Sequence, residues 1–255
     1  MTSDELDRTL RQLRLGGMAD TVTVRAQQAR ADNLGPLDFL SLLVNDELER
    51  RRDRLVERRI KSAGFRDRKT LDTFDWRFNT GIDRALVFEL ATCRFIERRE
   101  DALLLGNAGV GKSHLAQAIG MAAIHGGFRV FYREAHQLFE DLILADANDE
   151  RAQAIGLFSD VDLLIVDDLG MRKLPVTAAE DLLEIIMRRY ERASTIVTSN
   201  RPIEDWPTMF GDTPAVTAFL DRLMHHSHLI QIRGKSYRLH ESSLANRPRK
   251  APAPT

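Results

Sequence analysis

The sequence predicts an α/β fold, in which a parallel sheet is flanked by helices and preceded by a small all-helical domain. From residue 101 onward, short apolar runs typical of buried strands alternate with amphipathic helical stretches. Before residue 63, apolar side chains recur at helical spacing instead. The chain has 255 residues, of which 43% are hydrophobic and 29% charged, so it is long enough for one good core or two small ones.

Three helices are expected in the N-terminal part. Ser3 is the expected N-cap of the first, and the leucine spacing of this helix ends where the Gly16–Gly17 pair interrupts it. A second helical stretch resumes near Met18, and Pro36 lies in the first turn of the third. The apolar stripe of the third helix consists of Phe39, Leu40, Leu43, Val44, Leu48 and Leu55.

These patterns predict a helical domain over residues 1–63 and an α/β domain over residues 64–245. Residues 246–255, with three prolines, are expected to be a disordered tail. Within the α/β domain, the predicted strands are residues 102–105, 129–132, 163–166, 195–198 and 229–232.

Composition excludes several classes of protein. The single cysteine rules out an intramolecular disulfide and argues against a thiolate metal site, so a cytoplasmic location is the default expectation. No apolar run approaches the roughly 20 residues that a membrane span needs, and the first residues are too polar for a signal peptide. A net charge of −1 excludes a uniformly cationic protein. His225, His226 and His228 are not expected to bind a metal as a set, because no cysteine joins them.

The first predicted strand runs directly into a glycine-rich motif. Residues 106–113 match the phosphate-loop pattern G-x-x-x-x-G-K-[ST], and a helical stretch follows. Glycines let backbone N–H groups converge on phosphate oxygens, Lys112 adds a positive charge, and Ser113 is the expected magnesium ligand. A glycine-rich turn that binds nothing is the alternative. The predicted nucleotide-binding residues are Gly106, Asn107, Ala108, Gly109, Val110, Gly111, Lys112 and Ser113.

Two carboxylates follow the third apolar run. Asp167 is predicted to hold Mg²⁺, directly or through water, and Asp168 to orient or deprotonate the attacking water. Glutamate usually fills the second role, and aspartate reaches about one methylene less far, so we expect slow or partner-stimulated hydrolysis. A strand that ends in two acidic turn residues is the alternative.

Three further polar residues complete the pattern. Asn200 follows the fourth run, on a strand predicted to neighbour that of Asp167, and is therefore in a position to contact a γ-phosphate or the lytic water. Arg222 and Arg238 come later, in Leu-Asp-Arg-Leu and Ser-Tyr-Arg.

The motifs together resemble those of the AAA+ P-loop NTPases of the DnaC and IstB group, over roughly residues 70–240. Within that group the chain is most similar to the IstB family, the helper ATPases of bacterial insertion-sequence transposition. The N-terminal stretch 13–19 is also similar to that family's. The residues that carry the resemblance are the phosphate loop with His114-Leu115-Ala116, Asp-Asp-Leu-Gly at 167–170, Thr-Ser-Asn at 198–200, Leu-Asp-Arg-Leu at 220–223, and Gly-Lys-Ser-Tyr-Arg at 234–238.

The resemblance implies a role for each of these residues. Asn200 matches sensor I, Arg222 matches an arginine finger that reaches the nucleotide of a neighbouring subunit, and Arg238 matches sensor II. An arginine acting in trans makes a homo-oligomer with ATP-bridged interfaces part of the chemistry. The implied cofactors are ATP or ADP with Mg²⁺, and the implied partners are duplex DNA and a transposase, with no membrane.

Two other functions stay open. A DnaC-like helicase loader would use the N-terminal helices to grip a helicase. A small-molecule P-loop kinase would need substrate-binding and lid arginines within one monomer, and the set of Asn200, Arg222 and Arg238 disfavours it.

The near-zero net charge conceals segregated charges. Residues 50–69 hold ten basic and three acidic side chains, residues 222–250 hold seven and one, and residues 140–168 hold one basic and nine acidic side chains. Basic patches of this kind bind DNA without reading its sequence, although a solvated helix face is an equal alternative for the first. The candidate DNA contacts are Arg172, Lys173, Arg50, Arg51, Arg52 and Arg54.

Overall fold

The computed structural model describes residues 2–211 and 213–240. The tail expected at residues 246–255 lies outside them. Contacts within the chain divide it into two compact units, with the division between Arg59 and Ile60. None of the described helices is long and apolar enough to cross a membrane.

The first unit is helical. The first N-cap is Thr2 and not Ser3, because Thr2 completes a capping box with Glu5. Thr2 Oγ1 accepts the Glu5 N–H at 3.3 Å, and Glu5 Oε2 accepts the Thr2 N–H at 2.7 Å. The helices are α1 (Ser3–Gln12), α2 (Gly16–Ala31) and α3 (Pro36–Ala63), the last of which continues past the division.

Gly16 and Gly17 are the first two residues of α2, which therefore begins two residues before the expected start near Met18. Gly17 packs against α3, where its N–H donates to Glu47 Oε2 at 2.6 Å. A Cβ at Gly17 would lie 2.7 Å from the Glu47 Cα. Glycine at this position therefore permits a close approach of two helices, and the chain turns earlier, at Arg14 with its φ of 59°.

Most of the apolar stripe of α3 faces solvent. Leu43 is 7% exposed, whereas Leu40 and Leu48 are 51% and 58% exposed. The sequence pattern marks this face correctly as apolar, but the helical unit covers little of it.

The second unit is built around a five-stranded sheet in the order β2-β3-β4-β1-β5. All neighbouring pairs are parallel, and the predicted adjacency of the third and fourth strands is confirmed. Each of the five predicted runs overlaps one strand. The strands are β1 (Asp101–Gly106), β2 (Val130–Glu134), β3 (Leu163–Leu169), β4 (Ser194–Ser199) and β5 (Ser227–Ile232).

Helices lie on both faces of this sheet, as parallel pairing requires. Leu103 and Leu105 share one hydrophobic cluster with residues of the helices between β2 and β5. On the other face, a Cβ at Gly120 would lie 2.7 Å from Ile165 Cδ1. The helices are α4 (Arg84–Ala91), α5 (Arg94–Glu97), α6 (Lys112–His125), α7 (Ala135–Ala147), α8 (Arg151–Ser159), α9 (Ala178–Arg189), α10 (Trp206–Phe210) after a short 3₁₀ turn (Ile203–Asp205), and α11 (Pro214–His225).

A buried ionic group closes the end of the core where the strands begin. Arg189 is 1% exposed and donates to the carbonyls of Phe158 and Val161 at 3.0 and 2.9 Å. Asp101 accepts the Thr195 N–H at 2.6 Å. Burial raises the pKa of Asp101 to about 7, although the Thr195 hydrogen bond and the Arg189 charge oppose that rise. The fold therefore favours the neutral carboxyl of Asp101.

Asp101 makes the stability of this unit depend on pH. Its pKa is raised on folding from about 3.9 to about 7, so its stabilising contribution is full below about pH 4 and is lost as the pH rises through 7. Asp101→Asn keeps the acceptor oxygen and removes the titration. We expect the free energy of unfolding of the variant, relative to the parent, to rise with pH by up to about 1.4 kcal/mol per unit across this window. Urea unfolding followed by tryptophan fluorescence measures it, since Trp76 and Trp206 both lie in this unit. Parallel pH curves for the two proteins would contradict the assignment.

Candidate functional site

The carboxyl ends of the central strands meet at one edge of the sheet, where a cavity of about 550 Å³ opens. Crevices at this edge are the usual ligand sites of parallel sheets. The loops after β1 and β3 supply part of the wall, and the segments before α4 and after β5 supply the rest. The lining residues are 66–69, 73–75, 78–79, 108–114, 117, 168, 171 and 237–238.

The phosphate loop between β1 and α6 has the backbone that its glycines predict. Gly109 and Gly111 have φ of 78° and 109°, in the region that L side chains rarely adopt. Gly111 is the N-cap of α6, so the free N–H groups at the start of this helix lie beside the cavity. A Cβ at Gly111 would lie 2.6 Å from Phe74 Cε2. The glycine is therefore required both by its φ and by the close approach of an aromatic ring.

Lys112 is the buried cation of this loop, at 4% exposure. Its ammonium donates to the carbonyls of Gly106 and Asn107 at 2.8 and 2.9 Å. Burial lowers the pKa of Lys112, and the nearby charges of Asp168 and Asp167 oppose that shift. The loop thus holds a desolvated positive charge next to two carboxylates.

Asp167 is held by neighbouring strands on both sides. Tyr132 on β2 donates its hydroxyl to Asp167 Oδ2 at 2.5 Å, and Thr198 on β4 donates to Oδ1 at 2.5 Å. Burial, with the adjacent Asp167, raises the pKa of Tyr132 far above its usual value, so the phenol remains a donor. Asp167 is 1% exposed, and it is Asp168 that lines the cavity.

Asp168 reaches the cavity through an unusual backbone conformation. Its φ is 55°, and its N–H donates to Thr198 Oγ1 at 2.9 Å. Burial and the charge of Asp167 raise the pKa of Asp168, while Lys112 and Arg238 lower it. A carboxylate with a raised pKa is a better proton acceptor, which suits the predicted role toward water.

An all-oxygen donor set suits Mg²⁺ at this edge. The Ser113 side chain lines the cavity at the start of α6. Each Asp167 oxygen accepts one hydrogen bond and keeps a second lone pair, but Asp167 lies behind the wall of the cavity. Hard oxygen ligands and retained waters are what Mg²⁺ prefers, so these residues fit the ion with Asp167 acting through water.

Asn79 hydrogen-bonds the segment before α4 to the phosphate loop and to the segment after β5. Its amide Nδ2 donates to the carbonyls of Val110 and Lys235, each at 3.2 Å, and its Oδ1 accepts the Lys235 N–H at 3.1 Å. Phe74 and Phe78 line the cavity on this side, and Phe74 lies edge-on to His114 with ring centroids 5.1 Å apart. Both aromatic rings are therefore positioned to contact the base of a bound nucleotide.

The three remaining predicted residues occupy different places. Arg238 lines the cavity, in a short helical stretch at residues 237–240. Asn200 lies beside the cavity wall, where its Nδ2 faces the Met171 sulfur at 3.6 Å; among the described residues its Oδ1 has no hydrogen-bond partner. Arg222 does not line the cavity: it lies in the last turn of α11 and donates to the Ala218 carbonyl at 3.0 Å.

The candidate DNA contacts divide into paired and outward-facing groups. In the helical unit, Arg50 pairs with Asp20 at 3.0 Å and Arg51 with Glu47 at 2.6 Å, so both stabilise the helices. Arg52 and Arg54 are exposed on α3. Arg172 and Lys173 are exposed on the loop between β3 and α9, and within residues 2–211 and 213–240 neither forms an ion pair.

Sequence reasoning missed Tyr132, Thr198 and Asn79 as site residues. Thr198 lies two residues before the predicted Asn200, but its contact with Asp167 depends on the register of two strands. Tyr132 and Asn79 lie far from their partners in sequence and belong to no motif. A tyrosine directly after the apolar pair Val130 and Phe131 is the one local signal for Tyr132.

Comparison with known proteins gives one family for most of the chain. A family model described as an IstB-like ATP-binding protein matches residues 8–245. A protein of insertion sequence IS21 in Pseudomonas aeruginosa, named as ATP-binding, is 39% identical over 94% of this chain and 91% of its own length. Its counterpart in insertion sequence IS5376 of Geobacillus stearothermophilus is 37% identical over 93% and 95%.

Solved structures give the same fold. The DnaC helicase loader matches with a TM-score of 0.55 and 22% identity, over 64% of this chain and 96% of its own. AMPPCP-bound DnaA from Aquifex aeolicus matches with a TM-score of 0.56 and 21% identity, over 73% and 58%. The AAA+ fold expected from the sequence is therefore confirmed.

Tyr132→Phe tests the support of Asp167. The ring still fills its place, but the carboxylate loses one of its two donors, so we expect the unit to lose about 1.5–3 kcal/mol of stability, as for a hydrogen bond to a charged group. We also expect a higher Mg²⁺ concentration for half-maximal binding of a fluorescent ATP analogue. Tyr190→Phe, the same change at the other edge of the sheet, is the control. Identical Mg²⁺ curves for both variants would show that Tyr132 does not position Asp167.

Proposed function

The chain belongs to the IstB-like family of ATP-binding proteins, and from that premise we propose that it is an ATP-hydrolysing helper of DNA transposition. It assembles on target DNA and recruits or stimulates a transposase. The observation that carries the proposal is the convergence of the phosphate loop, Asp168 and Arg238 on one cavity, while Arg222 lies away from it.

The motif residues in and beside the cavity have defined parts in hydrolysis. The N–H groups of residues 107–113 and the Lys112 ammonium bind the β- and γ-phosphates of ATP, and Arg238 adds charge at the γ-phosphate. Ser113 would hold Mg²⁺ directly and Asp167 would hold it through a water, and the ion would supply positive charge next to the phosphates. Asp168 accepts the proton of the attacking water. Asn200 either accepts a hydrogen bond from that water at Oδ1 or donates one to the γ-phosphate from Nδ2.

Arg222 acts on the nucleotide of a neighbouring subunit. It is close to the start of β5, where Ser227 pairs with Asp101, the first residue of β1. The phosphate loop begins at the other end of β1, five residues later, which is roughly 17 Å away at the usual rise of 3.3 Å per residue. A guanidinium there cannot serve its own loop, so two subunits share each catalytic site.

Hydrolysis is slow in the isolated protein and rises with DNA or a partner. The short carboxylate of Asp168 slows the step within one subunit, and the arginine arrives only when a second subunit assembles, so hydrolysis rises on assembly.

DNA binds along the loop after β3. Arg172 and Lys173 project from the same edge of the sheet as the cavity, and Val176 beside them is 94% exposed. Contacts to phosphates from such a loop carry no sequence information. ATP binding at one edge is thereby coupled to DNA binding next to it.

A DnaC-like helicase loader is the second candidate, and one observation favours it. The uncovered apolar residues of α3, among them Leu40 and Leu48, suit a protein partner. A transposase would bind that surface equally well, and the insertion-sequence relatives favour the transposition helper.

Mixing two inactive variants tests the shared site. Arg222→Ala is expected to keep nucleotide binding and lose hydrolysis, and Lys112→Ala to lose nucleotide binding. In a mixture, the intact arginine of the Lys112→Ala subunit completes the site of its Arg222→Ala neighbour, so steady-state ATPase activity returns in part. Arg233→Ala, an exposed arginine outside the cavity lining, is the control and keeps full activity. Activity in Arg222→Ala alone, or none in the mixture, would remove Arg222 from the site.

Salt titration of duplex DNA binding tests the loop. We expect Arg172→Ala with Lys173→Ala to weaken binding of every sequence alike and to reduce the slope of log K against log salt by roughly two. The matched pair Arg52→Ala with Arg54→Ala should leave the slope unchanged.

Electron microscopy with ATP and duplex DNA is the companion measurement. A slope that changes only in the second pair would move the contact to α3, and the absence of any assembly on DNA would end the helper proposal.

A further inference from the structure

Three potential metal ligands come together at the edge of the sheet opposite the cavity. Glu191 follows α9, His225 is the last residue of α11, and His226 follows it. One ligand atom from each lies within 4.8 Å of the others, and all three side chains are exposed. Nothing in the phosphate chemistry uses them.

We propose that Glu191, His225 and His226 form a site for a divalent transition-metal ion of the zinc type. Two imidazoles and a carboxylate are a ligand set that Zn²⁺, Co²⁺ and Ni²⁺ accept, and three protein ligands leave a fourth position open. Metal–ligand bonds of about 2.0–2.1 Å place the ligands of a tetrahedral ion roughly 3.3 Å apart. Exposed side chains close the remaining gap by rotation.

Tyr190 orients one of the three ligands. Its hydroxyl lies 2.8 Å from His225 Nδ1. When Nδ1 carries the ring hydrogen and donates to Tyr190, Nε2 keeps the lone pair that a metal requires. An outer partner of this kind fixes the tautomer and the ring direction of a metal-binding histidine.

Hydrogen bonds to the backbone carbonyls of the cluster hold its chain segments in place without a metal ion. The Asp101 N–H donates to the His226 carbonyl at 2.8 Å, and Arg99 Nη1 donates to the Glu191 carbonyl at 2.9 Å. Glu191 has a φ of 56°, which glutamate rarely adopts, and its side chain leaves from a sharp turn between α9 and β4. The two chain segments that present the ligands are therefore held in position by the sheet.

The proposed site differs in chemistry from the nucleotide site. Mg²⁺ prefers oxygen ligands and is a poor match for two imidazoles, so excess Mg²⁺ should not compete. An ion bound here joins the C-terminal ends of α9 and α11 within one turn of Arg222. The metal site itself does not rest on the proposed function.

His228 provides a matched control. It lies two residues beyond the cluster, but its Nε2 pairs with Glu100 Oε2 at 2.7 Å on a different side of the chain. Removing it deletes a neighbouring imidazole without deleting a proposed ligand.

Metal titration of the full chain, purified without a histidine tag, tests the proposal. Zn²⁺ uptake is measured by calorimetry in excess Mg²⁺, and Co²⁺ is added separately for its visible absorption, which is strong only in tetrahedral sites. We expect one ion per chain and a higher Tm with Zn²⁺. Tyr190→Phe should weaken binding about 10–100-fold, the usual effect of losing an outer partner. Glu191→Gln, His225→Ala and His226→Ala should weaken it at least as much, and His228→Ala should not.

Thermal unfolding without metal checks that each variant folds, which is expected because the three side chains are exposed. The proposal is overturned if the parent protein takes up no Zn²⁺, if all three ligand variants bind as the parent does, or if His228→Ala weakens binding as much as they do. None of these results depends on ATP, so they leave the proposed hydrolysis untouched.

Discussion

The carboxylate of Asp167 joins three adjacent strands at the edge of the sheet, and the site depends on that junction. Tyr132 and Thr198 each donate to it, from β2 and β4. The Thr198 oxygen also accepts the N–H of Asp168, which fixes the turn that sends the next carboxylate into the cavity. The hydrogen bond to Asp167 and the orientation of Asp168, the proposed proton acceptor, therefore depend on the same hydroxyl, and any shift of one strand against another would displace both.

The polarity of a parallel sheet separates two kinds of chemistry. All strands begin at one edge of the sheet and end at the other. The phosphate loop, Asp168 and Asn200 lie where strands end. Asp101, Arg222 and the histidines at 225, 226 and 228 lie where strands begin. Loops after parallel strands meet by necessity, whereas residues before them are kept about one strand length away. The proposed trans-acting arginine follows from where α11 ends, and in that proposal oligomerisation closes a gap that no side chain spans. The alternation of acidic and basic segments along the chain offers charge complementarity for that closure.

What the sequence predicts well is local. The apolar runs give five strands, and the spacing of glycine, lysine and serine gives the loop, because each pattern lies within a few residues of its physical cause. The misplaced N-cap is a local error, because Thr2 forms a capping box with Glu5 three residues later. The other failures involve distant partners: the packing of Gly17 against Glu47 depends on a second helix. Asn79, Tyr132 and Glu191 have no motif, because their partners lie on other elements and only the packed sheet brings them together.

The shorter carboxylate at position 168 also follows from the backbone. The turn after β3 places this residue at a φ of 55°, a left-handed conformation that aspartate and asparagine tolerate better than other side chains with a Cβ. Glutamate would reach further toward water but fits that conformation less well. The turn and the short side chain are thus parts of one arrangement: the backbone carries Asp168 toward the cavity, past Asp167, and replaces some of the reach that the missing methylene would give. Reach in this site is set by the fold as much as by the length of the side chain.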